Sequence, residues 1–88
     1  MPPYDVVLTK TAQKVYEGLP VKLKNGIDRC FIWLENFPKS GSRVKRLQGQ
    51  TGCYRFQVGG WRIVYRVNDE LKEVQVVDIR PRGDVYKH

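Results

Sequence analysis

The sequence predicts an α+β fold in which two N-terminal helices pack on one face of a twisted antiparallel sheet. Apolar residues recur at helical spacing only in the first half of the 88-residue chain, whereas apolar and polar residues alternate in the second half. The clearest signal is residues 53–67, where the alternation continues on both sides of Gly59-Gly60. The length fits one domain, residues 1–88.

The first half contains one predicted strand and two predicted helices. Residues 4–8 form a short strand that joins the sheet at an edge or beside a strand distant in sequence. Thr9 or Thr11 caps a helix over residues 10–19, because a hydroxyl oxygen accepts hydrogen bonds from free backbone N–H groups. A second helix covers residues 21–36. Its apolar stripe comprises Leu23, Ile27, Cys30, Phe31, Leu34 and Phe37.

The second half is predicted to be strands, with a hairpin at its centre. Both glycines of Gly59-Gly60 accept a positive φ, which a two-residue hairpin turn requires. The buried face then carries the pairs Val58–Trp61, Phe56–Ile63 and Tyr54–Tyr65. The opposite face carries Cys53, Arg55, Gln57, Arg62, Val64 and Arg66. Further strands are predicted over residues 44–47 and 73–79.

The chain is strongly basic. Lys and Arg number 16 against nine Asp and Glu, a net charge of +7, and most of the excess lies after residue 42. A small basic protein suits an anionic partner, which is a nucleic acid, a membrane surface or an acidic protein. The alternative is a charge that serves only solubility.

Several function classes find no support in the sequence. The single histidine is His88, so no histidine cluster can bind a metal, and no Ser-His or Cys-His arrangement suggests a hydrolase. We expect no cofactor. The N-terminus resembles no signal peptide and no apolar run spans a membrane, so we expect a cytoplasmic protein in which Cys30 and Cys53 stay reduced.

Arginines are the strongest candidates for function. Arg55, Arg62 and Arg66 share the open face of the hairpin, and Arg80 and Arg82 follow the last strand. A guanidinium group keeps its charge and offers a planar set of donors that fits phosphate. A single arginine on a strand is usually only solvated, but several on one face repel each other. Arg66 alternatively pairs with an acidic residue in the turn at residues 69–70.

Five other residues are secondary candidates. Lys45 and Arg46 would extend a basic track for an RNA backbone. Tyr86 either packs back on the sheet or takes part in stacking or proton transfer. His88 is either a proton carrier or a frayed terminal residue. Asp78 is either a lone catalytic acid or, more simply, the partner of a neighbouring arginine.

Three segments resemble the RelE/ParE superfamily of bacterial toxin–antitoxin systems. Residues 44–49 (VKRLQG) resemble its basic entry to the sheet, residues 53–67 (CYRFQVGGWRIVYRV) its hairpin, and residues 79–86 (IRPRGDVY) its ending. The resemblance implies a microbial-RNase-like fold and a cognate antitoxin that wraps the toxin, with operator DNA bound through the toxin–antitoxin complex. RelE-type members cut mRNA on the ribosome, whereas ParE-type members inhibit DNA gyrase.

The resemblance also implies roles for individual residues. Arg62 matches an arginine that stabilises the transition state, Arg80 one that protonates the leaving oxygen, and Tyr86 a catalytic tyrosine. Arg55 and Gln57 stand where RelE has lysines, so the charge is kept at one position and lost at the other.

Further phosphate contacts are expected from Arg82. The expected activity is therefore ribosome-dependent, metal-free endonucleolytic cleavage of mRNA by its own 2′-OH, which inhibits translation. A gyrase inhibitor without nuclease activity is the alternative, and an inactive relative that binds only antitoxin and operator DNA is a third.

Overall fold

The elements follow the predicted order. The computed structural model of the chain describes residues 3–47, 49 and 52–81. The elements are β1 (Asp5–Leu8), α1 (Lys10–Glu17), α2 (Val21–Asn36), β2 (Val44–Arg46), β3 (Cys53–Val58), β4 (Trp61–Asn68) and β5 (Glu73–Pro81). Within these residues, neither helix is long and apolar enough to cross a membrane.

The five strands form one sheet in the order β1-β5-β4-β3-β2. The pairs β2–β3, β3–β4 and β4–β5 are antiparallel. The N-terminal strand lies at an edge, as predicted, but it runs parallel to β5, so the sheet is mixed rather than wholly antiparallel. A parallel pair needs a long crossover connection. Here the connection from β1 to β5 contains both helices and the other three strands.

Capping residues set the bounds of the two helices. Thr9 caps α1, because its side-chain oxygen accepts a hydrogen bond from the Ala12 N–H at 3.3 Å. The helix ends at Glu17, two residues before the predicted end, and Gly18 forms its C-cap. Pro20 stands at the N-cap of α2, where its missing N–H leaves no helical hydrogen bond unmade.

The core lies between the two helices and one face of the sheet. The buried cluster comprises Ala12, Ile27, Cys30, Leu34, Tyr54, Phe56, Ile63, Tyr65, Val74, Val76 and Ile79. The predicted apolar stripe of α2 is confirmed except at Phe37, which is 49% exposed. Phe37 is the C-cap of the helix with φ −134°, so the helical spacing that placed it on the stripe no longer applies.

A β-bulge interrupts the pairing of β4 with β5. Val64 lies opposite Asp78 and the next residue, Tyr65, lies opposite Val76, so Val77 is an extra residue. A bulge shifts the alternation of side chains by one residue. Val74 and Val76 before the bulge, and Ile79 after it, consequently all face the helices.

Candidate nucleic-acid interface

The face of the sheet that lies away from the helices, called the open face below, collects basic side chains. Residues directly opposite each other in a sheet share a face. The register pairs Lys45 with Arg55, Gln57 with Arg62, and Arg62 with Arg80. The predicted hairpin register is confirmed at every pair. The basic residues on the open face are Lys45, Arg55, Arg62, Arg66 and Arg80.

The β-bulge decides that Arg80 belongs to this face. Glu73 and Gln75 lie on the open face before the bulge. Unbroken alternation would continue with Val77 and Ile79, and Arg80 would turn toward the helices. Because Val77 is the extra residue, Asp78 and Arg80 lie on the open face instead. The sequence pattern predicted that Arg80 follows the last strand; Arg80 lies within β5 instead, and the bulge was not predicted.

Arg62 on β4 is the central residue of one row across the sheet, with Gln57 on β3 to one side and Arg80 on β5 to the other. These three residues are called the arginine row below. The Nε atom of Arg62 is buried and has no hydrogen-bond partner among the residues that the structure describes. A buried donor without an acceptor is costly, so the Arg62 Nε lowers the stability of the fold. The side chain as a whole is only half-buried, so a ligand would be contacted through the terminal Nη groups. Arg62 and Arg80 lie directly opposite, with Cβ atoms roughly 5 Å apart as for any such pair.

Arg80 is held by Asp78. The Nε of Arg80 donates to Asp78 Oδ2 at 2.6 Å, and the Arg80 side chain is 60% exposed. This ion pair confirms the simpler of the two interpretations of Asp78. It also means that one of the arginines expected to contact phosphate has an acidic partner inside the chain. A guanidinium group has five N–H donors, so four remain on the two Nη atoms.

The row beside it contains Lys45 and Arg55, but Arg46 is on the other face. Lys45 pairs with Arg55, which pairs with Val64. Arg46 pairs with Tyr54, a core residue, so the register places it on the helix side at the edge strand. Lys45 and Arg46 therefore do not share a face, because consecutive strand residues face opposite sides. The expected role of Arg46 in binding an RNA backbone stays a prediction.

The expected pairing of Arg66 with the β4–β5 turn is not found either. Asp69 instead accepts hydrogen bonds from Lys39 Nζ at 2.6 Å and from Tyr4 Oη at 2.7 Å. The Lys39 ammonium, followed by the Tyr4 hydroxyl, lowers the pKa of Asp69. Within the described residues Arg66 forms no salt bridge and it is exposed on the open face beside Cys53.

Three of the candidate residues lie outside the described part of the chain: Arg82, Tyr86 and His88. Their expected roles stay predictions. The last described residue, Pro81, lies opposite Trp61 at the end of β4 next to the hairpin turn. The described part of the chain therefore ends at the end of the sheet where Arg62 and Arg80 lie.

A cleft lies on the other side of the sheet. It has a volume of about 430 Å³ and lies between α2 and β3, with Cys30, Trp33, Phe56 and Val58 in its walls. None of the open-face arginines contributes to it. We place the candidate interface on the open face nevertheless, because an extended polyanion binds to a charged surface rather than to a small apolar cleft.

Comparison with known proteins identifies relatives of the chain. The family model described as ParE toxin of type II toxin–antitoxin system, parDE, matches residues 6–86. No curated protein sequence matches the chain. The solved archaeal RelE–RelB complex from Pyrococcus horikoshii OT3 contains a chain with 27% identity and a TM-score of 0.81, over 92% of this chain and 97% of that one.

Two further structures share the fold at lower identity. The intact E. coli RelBE toxin–antitoxin complex matches with 22% identity and a TM-score of 0.80, over 89% of this chain and 95% of that one. The YoeB/ParE toxin from Agrobacterium tumefaciens matches with 20% identity and a TM-score of 0.77, over 88% and 96%.

Proposed function

The chain belongs to the RelE/ParE superfamily of type II toxin–antitoxin toxins, and within this superfamily we propose that it is a ribosome-dependent mRNA endonuclease. The observation that carries the proposal is the placement of Arg62 opposite Arg80 on the open face, with the buried Arg62 Nε lacking an acceptor among the described residues. Two guanidinium groups at this spacing can contact the same phosphate group.

The proposed reaction needs no metal ion. The ribose 2′-oxygen attacks the adjacent phosphorus, and the bond from phosphorus to the 5′-oxygen of the next nucleotide breaks. The 2′-OH gives up its proton, the 5′-oxygen gains one, and the products are a 2′,3′-cyclic phosphate and a 5′-OH end. Arg62 and Arg80 stabilise the negative charge that develops on the phosphate oxygens, and one such donor typically contributes roughly 100- to 1,000-fold in rate.

The rest of the open face would hold the RNA backbone. Lys45 and Arg55 form the neighbouring row, and Gln57 contributes a neutral hydrogen-bonding group beside Arg62. We include Arg82 and Tyr86 in the proposal on the resemblance alone, and His88 as a proton carrier on the chemistry of its imidazole. Since Asp78, the carboxylate beside Arg62 and Arg80, is bound to Arg80, the rate should depend on the ribosome aligning the mRNA, and positioning can supply ~7–11 kcal/mol.

The test compares cleavage of mRNA on programmed ribosomes with cleavage of the same RNA free in solution. We expect cuts on the ribosome and few in solution. Arg62→Ala and Arg80→Ala should each lower the cleavage rate about 100-fold. Lys22→Ala is the matched control, because it removes the same charge from an exposed position on α2. Full cleavage by both arginine variants would overturn the proposal.

Inhibition of DNA gyrase is the second candidate function. The family model that matches the chain is the one described as ParE, and the Asp78–Arg80 ion pair reduces the positive charge where a nuclease needs it. A gyrase inhibitor would cause supercoiling defects in cells while mRNA stays intact. Primer extension on mRNA after brief induction, with a supercoiling assay on the same culture, separates the two activities.

We also propose a cognate antitoxin as the physiological partner. The P. horikoshii and E. coli relatives were solved as toxin–antitoxin complexes, and a chain of net charge +7 suits an acidic partner. Through that complex the protein would reach operator DNA indirectly. A ribosomal target implies action in the cytoplasm. Co-expression with the antitoxin should restore growth and yield a complex that survives gel filtration.

A further inference from the structure

Asp78 is the one acidic residue that the register places beside the arginine row. The other acidic residue of β5 on the open face is Glu73, which lies opposite Asn68 at the far end of β4. Asp78 lies opposite Val64, two residues along the strands from the Arg62–Arg80 pair. A carboxylate at this place is unexpected on a surface proposed to bind phosphate, because it repels the substrate.

The carboxylate is itself held in place by the backbone. Its Oδ1 accepts a hydrogen bond from the Ile79 N–H at 2.8 Å, and its Oδ2 accepts one from Arg80 Nε at 2.6 Å. The Asp78 side chain is only 23% exposed, against 60% for Arg80. The more buried group, which also bonds to the backbone, therefore holds the more exposed one, and the hydrogen bond to Nε restrains the plane of the guanidinium group.

We propose that Asp78 is a positioning residue that holds the Arg80 guanidinium through Nε, so that its two Nη groups remain free to bind the phosphate beside Arg62. This role rests on the proposed nuclease function. The bulge at Val77 is what makes it possible, because it places both Asp78 and Arg80 on the open face, where Arg62 lies. Within the described residues, Asp78 is the only hydrogen-bond partner of the Arg80 side chain.

A positioning role predicts opposite effects on binding and on cleavage. The negative charge of Asp78 weakens the binding of RNA, while the fixed orientation of Arg80 matters most in the transition state, where charge on the phosphate oxygens is greatest. Asp78→Asn removes the charge. It also removes the tether, because an amide that accepts from the Ile79 N–H through its oxygen turns its NH2 group toward the Arg80 Nε donor.

The experiment measures single-turnover cleavage and ribosome binding for the wild type, Asp78→Asn, Arg80→Ala and the double variant. We expect Asp78→Asn to bind more tightly and to cleave roughly 10-fold more slowly at saturation. The double variant should cleave no more slowly than Arg80→Ala, since Asp78 acts through Arg80. Glu73→Gln is the control: it removes the same charge from the same strand and face, and its cleavage rate should equal that of the wild type.

Other outcomes separate the competing roles. If Asp78→Asn slows cleavage equally in the wild-type and Arg80→Ala backgrounds, Asp78 acts independently, as a proton acceptor would, and the positioning role is wrong. If wild-type protein cleaves and Asp78→Asn cleaves equally fast, the role is likewise overturned while the nuclease function stands. If the wild-type protein cleaves no mRNA on ribosomes, the proposed function fails and this inference with it.

Discussion

The charged side chains at the two ends of β4 differ in their hydrogen-bond partners. At the end next to the hairpin turn, Arg62 faces Arg80, and the Arg62 Nε is buried without a partner among the described residues. At the end next to the β4–β5 turn, Asp69 accepts hydrogen bonds from both Lys39 and Tyr4. One end therefore has an arginine Nε donor without an acceptor, and the other has a carboxylate that accepts from two donors.

The difference shows where stability and function are in conflict. The Asp69 cluster joins the N-terminal segment, the loop after α2 and the β4–β5 turn, so its contacts serve the fold. The facing arginines do not serve the fold, because like charges directly opposite each other in a sheet are destabilising. Natural proteins keep such local conflicts mainly at functional sites. This contrast supports the open-face arginines as the site independently of any relative.

Exchange of residues 79 and 80 (Ile79→Arg with Arg80→Ile) should have the largest effect on stability. Ile79 is buried against the helices and Arg80 is exposed on the open face. Burial of a guanidinium group and exposure of an isoleucine should lower the free energy of unfolding by about 3 kcal/mol or more. Urea denaturation followed by circular dichroism measures this.

Val77→Ala is the control for the exchange, because it shortens a half-buried side chain on the same strand but leaves Ile79 and Arg80 in place. We expect it to cost about 1 kcal/mol. If the exchanged variant were as stable as Val77→Ala, the assignment of Ile79 to the core and of Arg80 to the open face would be wrong.

The hairpin was predictable from sequence and the bulge was not. The hairpin register depends on Gly59-Gly60 and on alternation within residues 53–67, which is local information. The bulge depends on contacts with β1 and the residue after it: the Thr9 N–H donates to the Val76 carbonyl at 2.9 Å, and the Thr9 hydroxyl to the Val77 carbonyl at 3.3 Å. A hint existed in the apolar spacing, which is two residues from Val74 to Val76 and three to Ile79.

Some residues of the candidate site were likewise predicted from the sequence and others were not. The basic residues of the hairpin were placed correctly, because alternation alone assigns Arg55 and Arg62 to one face. The partner of Asp69 was not predictable, since Lys39 is 30 residues away in sequence. Arg46 was misplaced because charge alone, without the register of a three-residue edge strand, does not say which face a residue occupies.

Replacement of Arg62 by methionine should separate the contribution of this arginine to stability from its contribution to toxicity. Methionine keeps an unbranched apolar stem but removes both the buried Nε donor and the repulsion from Arg80. We expect the free energy of unfolding to rise by about 1 kcal/mol, while growth arrest on induction is lost. Urea denaturation and a growth curve measure the two effects.

Arg66→Met is the matched control, because Arg66 lies on the same strand and face but is exposed. Its stability should change by no more than about 0.5 kcal/mol. An Arg62→Met protein less stable than the wild type would show that the arginine row does not strain the fold.

The smallest effect is expected at the other end of β4, where it should appear as a pH dependence. Lys39, then Tyr4, lowers the pKa of Asp69 below its ordinary value of 3.8. The folded state thus binds this proton less readily than the unfolded state, so the ionised carboxylate stabilises the fold above about pH 4. That contribution is lost as the pH falls through the lowered pKa.

We therefore expect the urea midpoint of the wild type to exceed that of Asp69→Asn slightly from pH 5 to 7, by less than the Arg62→Met effect, because exposed ion pairs contribute little. The difference should disappear below the lowered pKa. Glu70→Gln, in the same turn, should leave the midpoint unchanged at neutral pH. A wild-type advantage that persisted unchanged in acid would mean that Asp69 contributes through packing rather than through its charge, and the contrast between the two ends of β4 would no longer be electrostatic.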